Sequence, residues 1–222
     1  MFGKSVQSMQ VEVAGLVFPN PVGIPFTLQK RRFHWFCKAP EAGFLTLTPP
    51  REDVLPWIKG LTSEPKSTIL AVNITTDIIR TFSLVYDFAH FIVIDPDSDM
   101  GIDAADISDT QALLDELVSL RLCYERYTPV FLRLSHGTTP EELKILLGAC
   151  RLNGLDGVVV PNLSMLLTVR ELTQGRVPVI CEIDSPEEGP EALRSGASLL
   201  ELPSARNLDK TLKTLESNNP QI

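Results

Sequence analysis

Cysteine is sparse and scattered in this chain of 222 residues, which has four: Cys37, Cys123, Cys150 and Cys181. None forms a CxxC pair or stands at ligand spacing from a histidine, so neither a zinc site nor a disulfide framework is indicated. Reduced, buried thiols in a cytoplasmic protein are expected instead. Long apolar runs are missing too. Stretches such as Phe91–Ile94 stop far short of the roughly 20 residues that cross a bilayer. The first ten residues, Met1 to Gln10, are polar and mixed, unlike a signal peptide. No membrane partner is therefore expected. Positive charge is also short, with 20 Lys and Arg against 28 Asp and Glu and a formal net charge of −8. Nucleic acid requires a basic face, and the Lys30-Arg31-Arg32 cluster is too small to supply one. No linker, low-complexity run or break in composition interrupts the chain, so residues 1–222 read as one domain.

What is present is an alternation. The hydrophobic fraction of 44% and charged fraction of 22% are those of an ordinary globular protein. Short β-branched or apolar runs alternate with amphipathic segments, the pattern of repeated βα units. Eight strands are predicted: Val22–Phe26, Phe44–Thr48, Ile69–Ile74, Phe91–Asp95, Val130–Ser135, Gly157–Pro161, Val179–Ile183 and Ser198–Leu202. Between them, Leu113, Leu114, Leu117, Val118, Leu120 and Leu122 make one broad apolar helical face. Thr139-Pro140-Glu141-Glu142 has the hydroxyl cap, first-turn proline and acidic third position of a capping box, and Gly154 is placed to end that helix.

Parallel strands joined by right-handed crossovers close into a barrel when there are eight of them, and a (βα)8 TIM barrel needs about 200 residues. An open doubly wound sheet is the rival. It would carry a glycine turn after its first strand, where this chain reads Thr27-Leu28-Gln29-Lys30. Ahead of the first strand, Val11 to Phe18 alternates around Gly15, which predicts a small hairpin over the barrel floor.

Residues 11–27, VEVAGLVFPNPVGIPFT, resemble the opening of dihydroorotate dehydrogenases, where a hairpin leads into an NPVG strand. The segments AGFLTLTPP (42–50), ILAVNITTD (69–77), residues 129–162 and SGASLLEL (195–202) resemble later strands of that family in the same order. The resemblance implies a barrel that binds flavin mononucleotide (FMN) and oxidises dihydroorotate to orotate in pyrimidine biosynthesis. It puts Asn73 at a flavin-contacting asparagine, Arg133 where a lysine stabilises the reduced flavin, and Asn162 at a substrate-reading asparagine.

Other positions depart from the family pattern. Where an NxSxPN sequence follows the fourth strand, this chain has Asp95-Pro96-Asp97-Ser98-Asp99, leaving Ser98 as the nearby hydroxyl that could act as base. A carboxylate facing anionic dihydroorotate repels it and donates no hydrogen bond. The asparagine-rich segment after the second strand is replaced by residues 51–68, which contain no asparagine. The Gly-Gly turn after strand seven is replaced by Cys181 to Glu188, in which Ser185 and Glu188 have capping-box spacing and Gly189 is an alternative cap. After strand eight, Pro203-Ser204 replaces an aromatic-hydroxyl pair, and Ser204 and Arg206 remain as an anion site for the FMN phosphate.

Each of these residues also has a plainer reading. Arg133 can pair with Asp95 or Glu182 inside the mouth. Asn73 and Asn162 can cap loops, and His136 can be a solvated loop residue and not an acid or base. The acidic set Asp95, Asp97, Asp99, Glu182, Asp184 and Glu201 either gathers a divalent metal or cationic ligand, or caps helices and faces water. Phe33, Trp35 and Phe36 are packing residues or, if exposed, an oligomer contact. No lysine sits on a predicted strand, which excludes a strand-borne Schiff base.

Together these substitutions predict a barrel whose FMN and dihydroorotate binding is lost or weakened, acting as a non-catalytic or ligand-binding protein. A homo-oligomer or protein partner is compatible with that role. The alternatives are an active FMN-dependent oxidoreductase and, third, a metal-assisted enzyme using the acidic mouth.

Overall fold

The structure is a computed structural model that describes residues 9–26, 41–50, 54–55, 68–96, 107–152 and 154–218. Two short strands, β1 (Val11–Val13) and β2 (Leu16–Phe18), pair antiparallel with Val11 opposite Phe18. Ala14 and Gly15 between them both have positive φ, 50° and 77°, as the two central residues of a tight hairpin turn require. Eight parallel strands follow: β3 (Val22–Phe26), β4 (Phe44–Leu47), β5 (Ile69–Ile74), β6 (Phe91–Ile94), β7 (Val130–Arg133), β8 (Gly157–Val160), β9 (Val179–Glu182) and β10 (Leu199–Glu201). They pair in chain order, and β10 returns to pair with β3, so the sheet is a closed barrel.

Helices lie between the strands: α1 (Ile78–Val85), α2 (Ile107–Arg121), α3 (Pro140–Leu152), α4 (Leu163–Thr173), α5 (Gly189–Arg194) and, after β10, α6 (Leu208–Asn218). The hydroxyl of Thr139 accepts from the Glu142 amide at 3.3 Å, while the Glu142 carboxylate accepts from the Thr139 amide at 2.7 Å, so the expected capping box forms. Gly154 follows α3 with φ of 64°.

The strand alternation sorts side chains into two cores. One set, including Val22, Leu45, Val72, Ile92, Leu132, Val158, Cys181 and Leu200, faces the helices. The other, Phe44, Ala71, Phe91, Val93, Phe131, Val159, Ile180 and Leu199, fills the barrel and meets Val13 and Phe18 of the hairpin. The hairpin is therefore the barrel's floor. Phe44 and Phe131 have room inside because their neighbours on β3 and β8 are Gly23 and Gly157, where a Cβ would collide with those rings.

Seven of the eight predicted strands start where the structure starts them; the eighth begins one residue later, at Leu199. Most end one or two residues early at the mouth, although the ladder bonds continue through Asp95, Leu134, Ile183 and Leu202. Three expectations need correction. Leu122 is not on the apolar face of α2: the helix stops at Arg121 and Leu122 is 83% exposed. Cys123, just beyond it, is exposed, whereas Cys150 and Cys181 are buried. Gly189 does not cap the start of α5 but is its first residue, because a 3-10 turn at Pro186–Glu188 runs straight into that helix.

Candidate functional site

The interior positions change character along the barrel axis. Two residues beyond each apolar interior residue Phe44, Ala71, Val93, Phe131, Ile180 and Leu199 come Thr46, Asn73, Asp95, Arg133, Glu182 and Glu201. A strand returns the same face every second residue, so an apolar floor is topped by a polar ring at the strands' C-terminal ends. This ring lines a cavity of about 260 Å³, rimmed by Pro25, Thr48, Ile183, Asp184, Leu202 and Pro203.

Arg133 is the centre of the ring. Its Nη2 donates to Glu201 Oε2 at 2.8 Å, its Nη1 pairs with Glu182, and its Nε lies 3.7 Å from Asp95 Oδ2. Glu182 and Glu201 are register partners on β9 and β10, so two like charges stand side by side. Such a pair is costly where water is partly excluded, and the guanidinium between them offsets the repulsion. Among the described residues, three carboxylates around one guanidinium leave an excess of negative charge. Three buried atoms of the ring have no hydrogen-bond partner among the described residues: Asn73 Oδ1, Arg133 Nε and Glu201 Oε1.

The turn after β9 is internally satisfied. The Asp184 amide donates to Glu188 Oε2 at 3.2 Å, and Ser185 Oγ donates to Glu188 Oε1 at 3.0 Å. Next to it, Lys210 binds Glu187 at 2.7 Å and holds its carboxyl below the usual range. Burial pushes the Cys181 thiol up to about 12, so it is no nucleophile at neutral pH.

The remaining candidate residues divide. Asn73 and Arg133 reach the cavity. Asn162 does not: it is exposed, and its Oδ1 accepts from the Met165 amide at 2.9 Å to cap α4. Ser204 is half-buried ahead of a 3-10 turn at Ala205–Asn207 without making a capping bond, and Arg206 is exposed. His136 is exposed in its loop. Ser98, Asp97, Asp99, Phe33, Trp35, Phe36, Cys37 and all but Val54, Leu55 and Thr68 of residues 51–68 lie outside the described residues. Among the described residues, no three His, Cys, Asp or Glu side chains gather in a metal-holding group. No helix among them is long and apolar enough to cross a membrane.

Sequence reasoning missed Glu201 as a partner of Arg133, together with Thr46 and Pro25. The signal that finds Glu201 and Thr46 is the two-residue step past the apolar interior positions Leu199 and Phe44.

No family model matches the sequence, and no curated protein matches it. Solved structures do match the fold. DHODH from Eimeria tenella in complex with ferulenol superposes with a TM-score of 0.75 at 14% identity, over 98% of this chain and 86% of that one. The ligand-free DHODH from the same organism gives a TM-score of 0.73 at 16% identity, over 95% and 86%. The chain has the fold of dihydroorotate dehydrogenases across nearly its whole length.

Proposed function

We propose that this chain is a dihydroorotate dehydrogenase-like barrel that works as a ligand-binding protein and not as a flavin oxidoreductase. One observation carries the reading: Arg133, the cation lining the mouth among the described residues, is already engaged by Asp95, Glu182 and Glu201. A cation so occupied has little field left for a reduced flavin or a substrate carboxylate, and the surrounding carboxylates repel both.

The turn after β9 supports the same conclusion. A flavin phosphate needs backbone amides that it can approach closely. Here the Asp184 amide is taken by the Glu188 carboxylate, so the turn presents an anion where an anion would have to bind. Ser204 and Arg206 are the groups left for a phosphate on the neighbouring turn, one half-buried and one exposed. The described residues of these two turns do not fit the FMN phosphate.

An active FMN-dependent oxidoreductase is the second reading. Asn73 favours it, because it stands at the flavin-contacting position of the resemblance and its Oδ1 is unbonded in the mouth. Titration with FMN, followed by flavin fluorescence, separates the two. The expected result is an affinity no better than about 100 µM, or roughly 5.5 kcal/mol. Submicromolar binding, or a yellow protein that oxidises dihydroorotate, overturns the ligand-binding reading.

A further inference from the structure

We propose that the barrel mouth binds a small organic cation rich in N–H donors, held by Asn73 and Glu201. The inference deepens the ligand-binding reading and rests on it. Among the described residues, the cavity lining contains four carboxylates, Asp95, Glu182, Asp184 and Glu201, against one guanidinium, that of Arg133. That imbalance alone specifies no ligand, since acidic side chains at a mouth can simply face water. The second observation is what points to one.

Asn73 is 8% exposed and Glu201 is 5% exposed, and both line the cavity. Asn73 Oδ1 and Glu201 Oε1 are shielded from bulk water and accept no hydrogen bond from the described residues. Buried acceptors without donors are costly and rare in folded proteins. Both unmatched atoms accept, both belong to the same ring, and one belongs to a carboxylate. The chemistry that satisfies them is a positively charged group with more than one N–H. Glu201 is held for this by Arg133, which binds Oε2 at 2.8 Å and leaves Oε1 over. The third unbonded atom, Arg133 Nε, is a donor, but it lies 3.7 Å from Asp95 Oδ2 and within that carboxylate's field.

The guanidinium also argues against a bare metal ion. It stands between the carboxylates that would have to converge on one, so their oxygens turn to Arg133 and not to a shared centre. A donor-bearing organic cation needs no such convergence. The cavity of about 260 Å³ holds roughly nine water-sized groups, enough for an aliphatic amine or guanidine of similar heavy-atom count.

Calorimetric titration of the full chain with agmatine, putrescine and, separately, FMN tests the proposal. Agmatine is expected to bind with a Kd below about 1 mM. Asn73→Leu and Glu201→Gln should each weaken it about tenfold, while Asn73→Asp, which keeps an acceptor and adds charge, binds at least as well as the parent. Thermal unfolding of each variant checks that it is folded. If neither amine nor FMN binds, the cation proposal fails and the non-flavin reading stands. Amine binding that is indifferent to Asn73→Leu and Asn73→Asp also overturns the proposal. Tight FMN binding overturns the non-flavin reading, and this inference with it.

Discussion

Arg133 shows how much a single interior side chain is asked to do. Its guanidinium touches carboxylates from three other strand ends, of which Glu201 has a side chain only 7% exposed. Removing one partner of a buried ion pair leaves the other charged and unpaired, at a cost of about 3–5 kcal/mol. Arg133→Leu should therefore lower the unfolding free energy by about that much in a urea titration. Replacing Glu201 by leucine in the same protein should recover part of the loss, because the stranded charge is then gone. A loss below about 1 kcal/mol, the range of exposed ion pairs, would mean that Arg133 carries no structural charge at the mouth. The sequence offered Asp95 and Glu182 as partners because, like Arg133, they stand near the C-terminal ends of predicted strands. Glu201 was equally visible as an acid but not as a neighbour, since only closure of β10 against β9 and β3 brings it beside them.

At the level of elements, two segments with the same spacing behave differently. Thr139 and Glu142 form the reciprocal bonds that their order implies, and α3 follows directly. Ser185 and Glu188 do not: Glu188 reaches back to the Asp184 amide, one residue further, and the backbone winds through a 3-10 turn before α5. Pro186 and Pro190, which carry no amide hydrogen, remove donors from that turn and change which bonds are available. This is why the sequence located α3 and its cap but mistook the role of Gly189.

The first capping box also titrates. The Thr139 amide, and then its hydroxyl, hold the Glu142 carboxyl below its ordinary value of 4.5. A depressed carboxylate pKa means that the stabilising contribution is present above the unfolded-state value and fades as the pH falls through the folded one. An NMR titration of Glu142 should place its midpoint below that of an unstructured glutamate. Thr139→Ala should raise the midpoint only part of the way, because the backbone amide remains. A midpoint that ignores the substitution would remove the hydroxyl from this account.

Across the whole molecule, the closed barrel was legible because burial on both faces demands short, continuous apolar strands, and eight of them stand at regular intervals. What the strand pattern left open is which of the charged side chains at the mouth meet one another, because that depends on the stagger of every strand against the next. The floor itself makes a testable claim. Phe18 of the hairpin is 1% exposed, and its ring meets Phe44 and Phe91 edge-on at centroid distances of 5.8 and 6.0 Å. If the hairpin is a packed plug, Phe18→Ala opens a void beside two rings that cannot close up, because Phe44 and Phe91 are fixed on barrel strands. Such truncations cost about 3–5 kcal/mol. Val17, the adjacent residue on β2, is 52% exposed, so Val17→Ala should change stability by no more than about 0.5 kcal/mol. Urea unfolding of the two variants measures the difference. Equal, small losses would mean that the hairpin merely lies against the barrel, and that the interior is closed by the strands' own side chains.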